Sequence, residues 1–163
     1  MADNHIAVAE NINWHTPITE AYLRVMDFPG GVPASLWITS YPINSLVSNG
    51  VITASSTDAP ADNGFPTDVF GIVELAVNPR AVHWVEGLPP LDQEEAMRAD
   101  ITKEKMATAT ILNADEYVSV KTALDIMTIN GARFMQIDRE RGSIEVGKYA
   151  DFVLVDKNVL ACP

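Results

Sequence analysis

From Ile43 to Pro60 the chain runs through a helix, a stop, a strand and a loop in immediate succession, and that order restricts its fold more than any other feature. Ile43, Leu46 and Val47 recur at helical spacing, Asn49-Gly50 ends the helix, and Val51-Ile52-Thr53-Ala54 is a short, mostly apolar strand. The strand runs into Ser55-Ser56-Thr57-Asp58-Ala59-Pro60, which is loop chemistry. A helix delivered straight into a strand, with a loop at the strand's far end, is the rhythm of an α/β unit with parallel strands. The preceding segment fits the same rhythm. His5-Ile6-Ala7-Val8-Ala9 offers a short strand, followed by a polar loop that reaches Trp14-His15. Thr16 as N-cap and Pro17 in the first helical position then start a helix with Ile18, Tyr22, Val25 and Met26 on one stripe, and Pro29-Gly30-Gly31 ends it.

Further along, Val69, Ile72, Val73, Ala76 and Val77 form the cleanest apolar helical stripe, closed by Pro79. Residues 86–115 commit to little: Pro89-Pro90 is followed by an acidic stretch whose Asp92, Glu94 and Glu95 read as a solvated face. Ser119 is an N-cap for a helix carrying Val120, Ala123, Leu124 and Met127, which is expected to continue or break near Asn130-Gly131. From Arg141 to Asp156 the pattern changes. Ile144 and Val146 alternate with Ser143 and Glu145, Gly147-Lys148 supplies a turn, and Phe152 to Val155 form an apolar run long enough for a buried strand. Two short strands folded against each other are expected there, so a charge placed at Val153 is expected to cost several kcal/mol.

Composition narrows the function. At 163 residues and 47% hydrophobic, the chain can bury a core and reads as one domain or a large part of one. Eleven basic against 22 acidic residues give a net charge of -11, and the Lys and Arg never cluster, which argues against nucleic acid as a partner. The single cysteine, Cys162, excludes an internal disulfide framework and a cysteine-built zinc site, and it has no partner for nucleophilic chemistry. No apolar run approaches the roughly 18 residues of a membrane span, so no membrane is expected. Met-Ala-Asp-Asn-His lacks the basic-then-apolar layout of a secretory signal, and the cytoplasm is the expected compartment.

The residue best placed for chemistry is Asp58, just past the C-terminal end of an expected parallel strand, the edge where α/β barrels and open sheets carry their reactions. A carboxylate fixed there can ligate a divalent metal and take a proton from its water. The same Ser-Thr-Asp-Ala-Pro stretch is also a good turn in which Asp58 caps the next segment, and spacing leaves both readings open. His5, His15 and His83 are scattered, without an H-x-H or H-E-x-x-H arrangement. His15 falls at the loop end of the first expected strand, where it could reach substrate or metal or simply lie exposed. Trp14, Trp37 and Trp84 could line a pocket, or anchor a core.

Four stretches resemble the amidohydrolase superfamily. R-G-S-I-E-V-G-K-Y-A-D-F-V-L-V-D resembles its C-terminal signature. N-G-V-I-T-A-S-S-T-D-A-P-A resembles its last barrel strand, above all in the amidohydrolase family 3 branch that includes N-substituted formamide deformylases, with Thr57 standing where serine is usual. Thr128-Ile129-Asn130-Gly131-Ala132 resembles the T-x-N-x-A stretch that precedes the tail, and His5 to Trp14 has the layout of the preceding barrel strand. The resemblance implies an α/β fold: the C-terminal part of a (β/α)8 TIM-type barrel plus returning strands of a small β-sandwich domain. Residues 1–135 would hold the last barrel strands and helices, with 82–116 as a variable insertion, and 136–163 the strands of the small domain. It further implies that Asp58 is both a metal ligand and the catalytic general base and acid, and that Lys148 and Asp151 shape the tail. The substrate would be a small-molecule, non-peptide amide or formamide. The cofactor would be a divalent metal, with zinc the expected ion in the complete enzyme.

A hydrolytic metal takes three or four protein ligands, and the H-x-H and later histidines of the family are not found in these 163 residues. A whole barrel takes about 250 residues, so this chain has room for two of its strands. The expectation is therefore a C-terminal portion of a metal-dependent hydrolase, inactive by itself and holding no tightly bound metal by itself. Two alternatives stand beside it. One is a subunit that completes a barrel with a partner chain, or self-associates, through an exposed barrel edge. The other is a non-catalytic binding or oligomerisation module.

Overall fold

The computed structural model describes residues 5–12, 40–56, 69–78 and 113–161, which form a small mixed α/β body. Two strands, β1 (Ala7–Glu10) and β2 (Ile52–Ser55), pair in parallel, with Ala7 opposite Ile52 and Glu10 opposite Ser55. Both strands thus end at the same edge, and the Ser56 N–H extends the ladder there by donating to the Glu10 carbonyl at 3.0 Å. Parallel neighbours need a long crossover, and the crossover between these two includes helix α1 (Ile43–Ser48).

The handover from α1 to β2 rests on Gly50. Its φ of 74° is the left-handed conformation that glycine adopts without a Cβ penalty. Gly50 N–H donates to Val47 O at 2.9 Å and Val51 N–H to Leu46 O at 3.0 Å, the Schellman closure that satisfies the last carbonyls and turns the chain into the strand. The other end of α1 has no cap from its own sequence. Its Ser45 N–H and hydroxyl instead donate to the Glu116 carboxylate at 2.8 and 2.5 Å, so an anion from a short 3-10 turn (Ala114–Glu116) serves the positive end of the helix. The last residues of the 82–116 span are thereby packed onto α1.

Helix α2 (Val69–Val77) buries Ile72, Val73 and Ala76 of its stripe and Leu75 outside it, while Val69 at its start is exposed, and Val118 N–H donates to Ala76 O at 3.0 Å just before helix α3 (Val120–Met127) begins. Ser119 caps α3 as its sequence predicts, its hydroxyl accepting from Thr122 N–H at 3.1 Å. One core joins these pieces: Ile12 from beyond β1, Ile43 from α1, the α2 stripe, Val118, and Ala123 and Ile126 from α3. Ile43 and Ile126 are wholly buried.

Helix α4 (Ile129–Phe134) contains Asn130-Gly131, and the break expected near that pair lies two residues before Asn130, at Thr128, whose φ of -119° and ψ of -92° are not helical. A Cβ on Gly131 would meet its nearest neighbour, Ile126 O, at an ordinary 3.7 Å, so this glycine marks no special backbone; the Thr128 hydroxyl meanwhile donates to Leu124 O at 2.7 Å and closes α3. The chain departs from expectation in the tail. Residues 141–161 contain no strand: Tyr149 N–H returns to Glu140 O at 2.9 Å, but Phe152 to Val155 run on without a ladder, and Val153 is 75% exposed. A strand needs a neighbour to take its backbone groups, and β1 and β2 pair with each other rather than with this segment. A charge at Val153 therefore enters water here, and the penalty expected from the sequence does not arise.

The first part of the tail is nonetheless anchored. Lys148 Nζ donates to Ser143 Oγ at 2.6 Å and Glu145 Oε1 at 3.2 Å, Arg141 pairs with Asp151, and the Arg141 guanidinium lies 4.6 Å over the Tyr149 ring. Hydrogen bonds from Ser143 and then Lys148 hold the Glu145 carboxyl below its ordinary range. Gly142, at φ 90°, lies so close to α4 that a Cβ would stand 2.6 Å from Ala132 Cβ and 3.1 Å from Ile129 Cα. Gly142→Ala is expected to release the 141–151 turn from α4, read as a gain in amide exchange there while α2 and α3 stay protected; unchanged protection at 141–151 would contradict the contact.

Candidate functional site

The edge formed by the C-terminal ends of β1 and β2 is where the sequence points, and the structure builds that edge from Glu10, Asn11, Ser55 and Ser56. Asp58 follows Ser55 by three residues and lies outside the described residues, as do Thr57, His15, His83 and the three tryptophans. His5 is described. It is exposed and sits before β1, at φ 54°, and so belongs to the opposite edge of the strand pair. Lys148 and Asp151 are engaged within the tail turn, with Ser143 and Glu145 and with Arg141. Among the described residues no three His, Cys, Asp or Glu side chains come together to hold a metal.

Two side chains at the edge were not singled out by sequence. Glu10 ends β1 half-buried, and burial pushes its carboxyl above the ordinary glutamate range. Tyr41 stands two residues before α1, which runs into β2 and therefore starts at the edge where β2 ends. Burial, and secondarily the nearby Glu10 charge, raise its phenol to about 12. Tyr41 also has a φ of 50°, an unusual backbone for a bulky aromatic residue. The conformation is held from both sides: Ile43 N–H donates to Tyr41 O at 2.8 Å, and the Asn113 side-chain amide donates to Ser40 O. Asn113 is itself left-handed, at φ 60°.

The signal available in the sequence was an acid at a strand end, in Ala-Val-Ala-Glu, hidden by the expectation that the strand stops at Ala9. Its raised pKa has a pH signature. A carboxyl that holds its proton more tightly when folded contributes stability below about pH 4.5, and this is lost as pH rises through the raised folded value. Glu10→Gln is thus expected to raise the melting temperature at pH 7 and leave it nearly unchanged at pH 4; equal shifts at both pH values would contradict a desolvated Glu10.

Comparison with known proteins identifies the family. The family model described as "Amidohydrolase family" matches residues 8–163. A 5-methylthioadenosine/S-adenosylhomocysteine deaminase of Thermoanaerobacter pseudethanolicus is 31% identical over 115 residues, 71% of this chain and 20% of the relative. An N-substituted formamide deformylase of Arthrobacter pascens is 26% identical over 122 residues, 75% of this chain and 17% of the relative. An imidazolonepropionase of Picrophilus torridus is 49% identical over a shorter stretch of 39 residues, 24% of this chain and 10% of the relative. The chain thus spans at most about a fifth of the length of these curated relatives. No solved structure matches it. With the family model covering nearly all of its length, the chain belongs to the amidohydrolase family.

Proposed function

We propose that this chain supplies the last two strands of the barrel, and the strand-end aspartate, to a metal-dependent hydrolase of non-peptide carbon–nitrogen bonds. The observation that carries the reading is the parallel pair β1–β2, ending at one edge, with Asp58 three residues beyond Ser55. Similarity to deaminases and to a formamide deformylase supports hydrolysis at carbon–nitrogen bonds of small molecules. A divalent metal, with zinc the ion this reading favours, would supply a water whose pKa is lowered to about 7. Asp58 would help to hold that metal, and its carboxylate would accept the proton of the attacking water and return it to the leaving nitrogen.

The remaining ligands are proposed to come from protein outside residues 1–163, because the three histidines of this sequence are scattered and form no H-x-H. In this arrangement residues 1–135 complete the barrel and 136–163 return to the small β domain, where Phe152 to Val155 find the strand neighbours that β1 and β2 do not offer. The exposed Ile144, Val146, Phe152, Val153 and Leu154 also favour a second form of the reading, in which those neighbours belong to a partner chain. The test is hydrolysis of a panel of N-substituted formamides and amino-heterocycles by protein that joins this chain to the family's histidine-bearing strands. Release of formate or ammonia is expected; a correctly folded, metal-loaded assembly that hydrolyses neither class would overturn the proposal.

A further inference from the structure

Residues 113–116 lie across the start of α1 as a strap, and the contacts that tie them there are polar. The Glu116 carboxylate accepts from the Ser45 N–H at 2.8 Å and from the Ser45 hydroxyl at 2.5 Å. Asp115 O accepts from the Asn44 side-chain amide at 2.8 Å, and the Asn113 side-chain amide donates to Ser40 O. Nothing from Ala114 to Glu116 is buried. Val118 is different: it is buried in the core, and its N–H is fixed on Ala76 O of α2 at 3.0 Å. Apolar burial thus begins just past the strap. A segment with few buried apolar contacts lies at the low end of local stability and opens while the core stays closed.

The closed strap also holds a strained backbone. Tyr41, at φ 50°, follows Ser40, whose carbonyl takes the Asn113 bond. That conformation is costly for a bulky aromatic residue, and such strain persists only while its surroundings over-determine it. Asn113 itself, at φ 60°, adopts the left-handed region at less cost, as asparagine does. Release of the strap lets Tyr41 return to ordinary backbone, which offsets part of what the hydrogen bonds contribute. Helix α1 is not expected to follow. Wholly buried Ile43 pins its first turn from inside, and the Gly50–Val51 closure pins its last.

We propose that residues 113–116 form a strap that opens from α1 by itself, hinged at Val118, while α1 and the α2–α3 core remain folded. Opening uncovers the first turn of α1 and frees the Ser40–Tyr41 bend. One rim of the strand edge is therefore movable, and Glu116 and Asn113 set how firmly it closes. That this rim borders a reaction edge rests on the function proposed above; the opening itself does not, and it is read without turnover.

Native-state amide exchange of the full 163-residue chain is the test. Two amides report the strap: Ser45 N–H, bonded to Glu116, and Ile43 N–H, bonded across the bend to Tyr41 O at 2.8 Å. Two report what stays closed: Val51 N–H, bonded to Leu46 O at 3.0 Å, and the amide of Ile126 within α3. Asn113→Gly keeps a residue suited to left-handed backbone and removes the bond to Ser40. It is expected to speed exchange at Ser45, which it does not touch, by about fivefold, the contribution of one hydrogen bond. Glu116→Ala, which does not touch the bend, is expected to speed exchange at Ile43 by at least that factor. Val51 and Ile126 should keep their parent rates in both variants. Acceleration confined to each variant's own neighbour would mean that the strap does not open as a unit. Equal acceleration at Val51 and Ile126 would mean that it opens only with the core. Either result would overturn the proposal.

Discussion

Asp58→Asn is expected to remove hydrolysis from the assembled enzyme, lowering kcat by about 10³-fold or more, the range lost with a positioned general base. Asparagine matches the aspartate in shape and can serve a turn as well as aspartate does. It cannot accept the proton of the attacking water or carry it to the leaving nitrogen, and it is a poorer metal ligand than a carboxylate. A turn role and a chemical role therefore separate cleanly. If Asp58 caps only the next segment, the variant keeps its activity. If it handles the proton, the variant melts within about 1 kcal/mol of the parent, as a substitution that leaves core and backbone untouched does, while turnover disappears. Steady-state kinetics beside a melting curve distinguishes the two, and retained turnover would take Asp58 out of the mechanism.

The second large effect concerns folding. Ile126 is wholly buried on α3, in the same core as Ile43 of α1 and the α2 stripe. Ile126→Ala removes three carbons where three helices meet, and cores of this density collapse only partly around a void. A loss of about 2–5 kcal/mol is expected from a total that is ordinarily about 5–15 kcal/mol. In thermal terms that is a fall of roughly 5–15 °C for a chain of this size. Lys121, on the exposed face of the same helix and paired with Asp125 at 2.6 Å, is the control. Its replacement by Ala should cost less than about 1 kcal/mol. Comparable losses at the two positions would mean that α3 does not face the core as described.

What could be read in the sequence was local. Asn49-Gly50 announced the end of α1, because a left-handed residue is needed there, and Ser119 announced α3, because its hydroxyl satisfies a free N–H of the first turn. The stripe over 69–77 and the strand before Ser55 were legible for the same reason: period and punctuation lie within a few residues. The contacts that shape the edge were not. Glu116 caps a helix 71 residues earlier, and Asn113 reaches Ser40 across 73, distances over which no pattern in a single chain reports.

The tail shows the reverse error. Alternation and an apolar run describe what Ile144 to Val155 would suit, but a strand exists only where a neighbour accepts its backbone. The helix break falls at Thr128, two residues before Asn130 and near where it was expected. Asn130-Gly131 is usual stop chemistry, yet the Asn130 side chain is occupied in accepting from Arg133 at 3.3 Å and the glycine keeps helical geometry. Gln136 then ends α4 at φ 60°, in a position more often given to glycine. Glu10 was overlooked because a strand-end glutamate looks solvated until the helix start beside it is in place.

The central claim is that this chain brings one metal ligand, Asp58, to a site finished by other residues. Metal analysis of the purified protein tests it most directly. The 163-residue chain, prepared with zinc present and then passed through a chelating column, should retain far less than one equivalent of divalent metal. The assembly that adds the histidine-bearing strands should retain one equivalent or more, reduced by Asp58→Asn. One full equivalent held through the chelator by this chain alone would contradict the account.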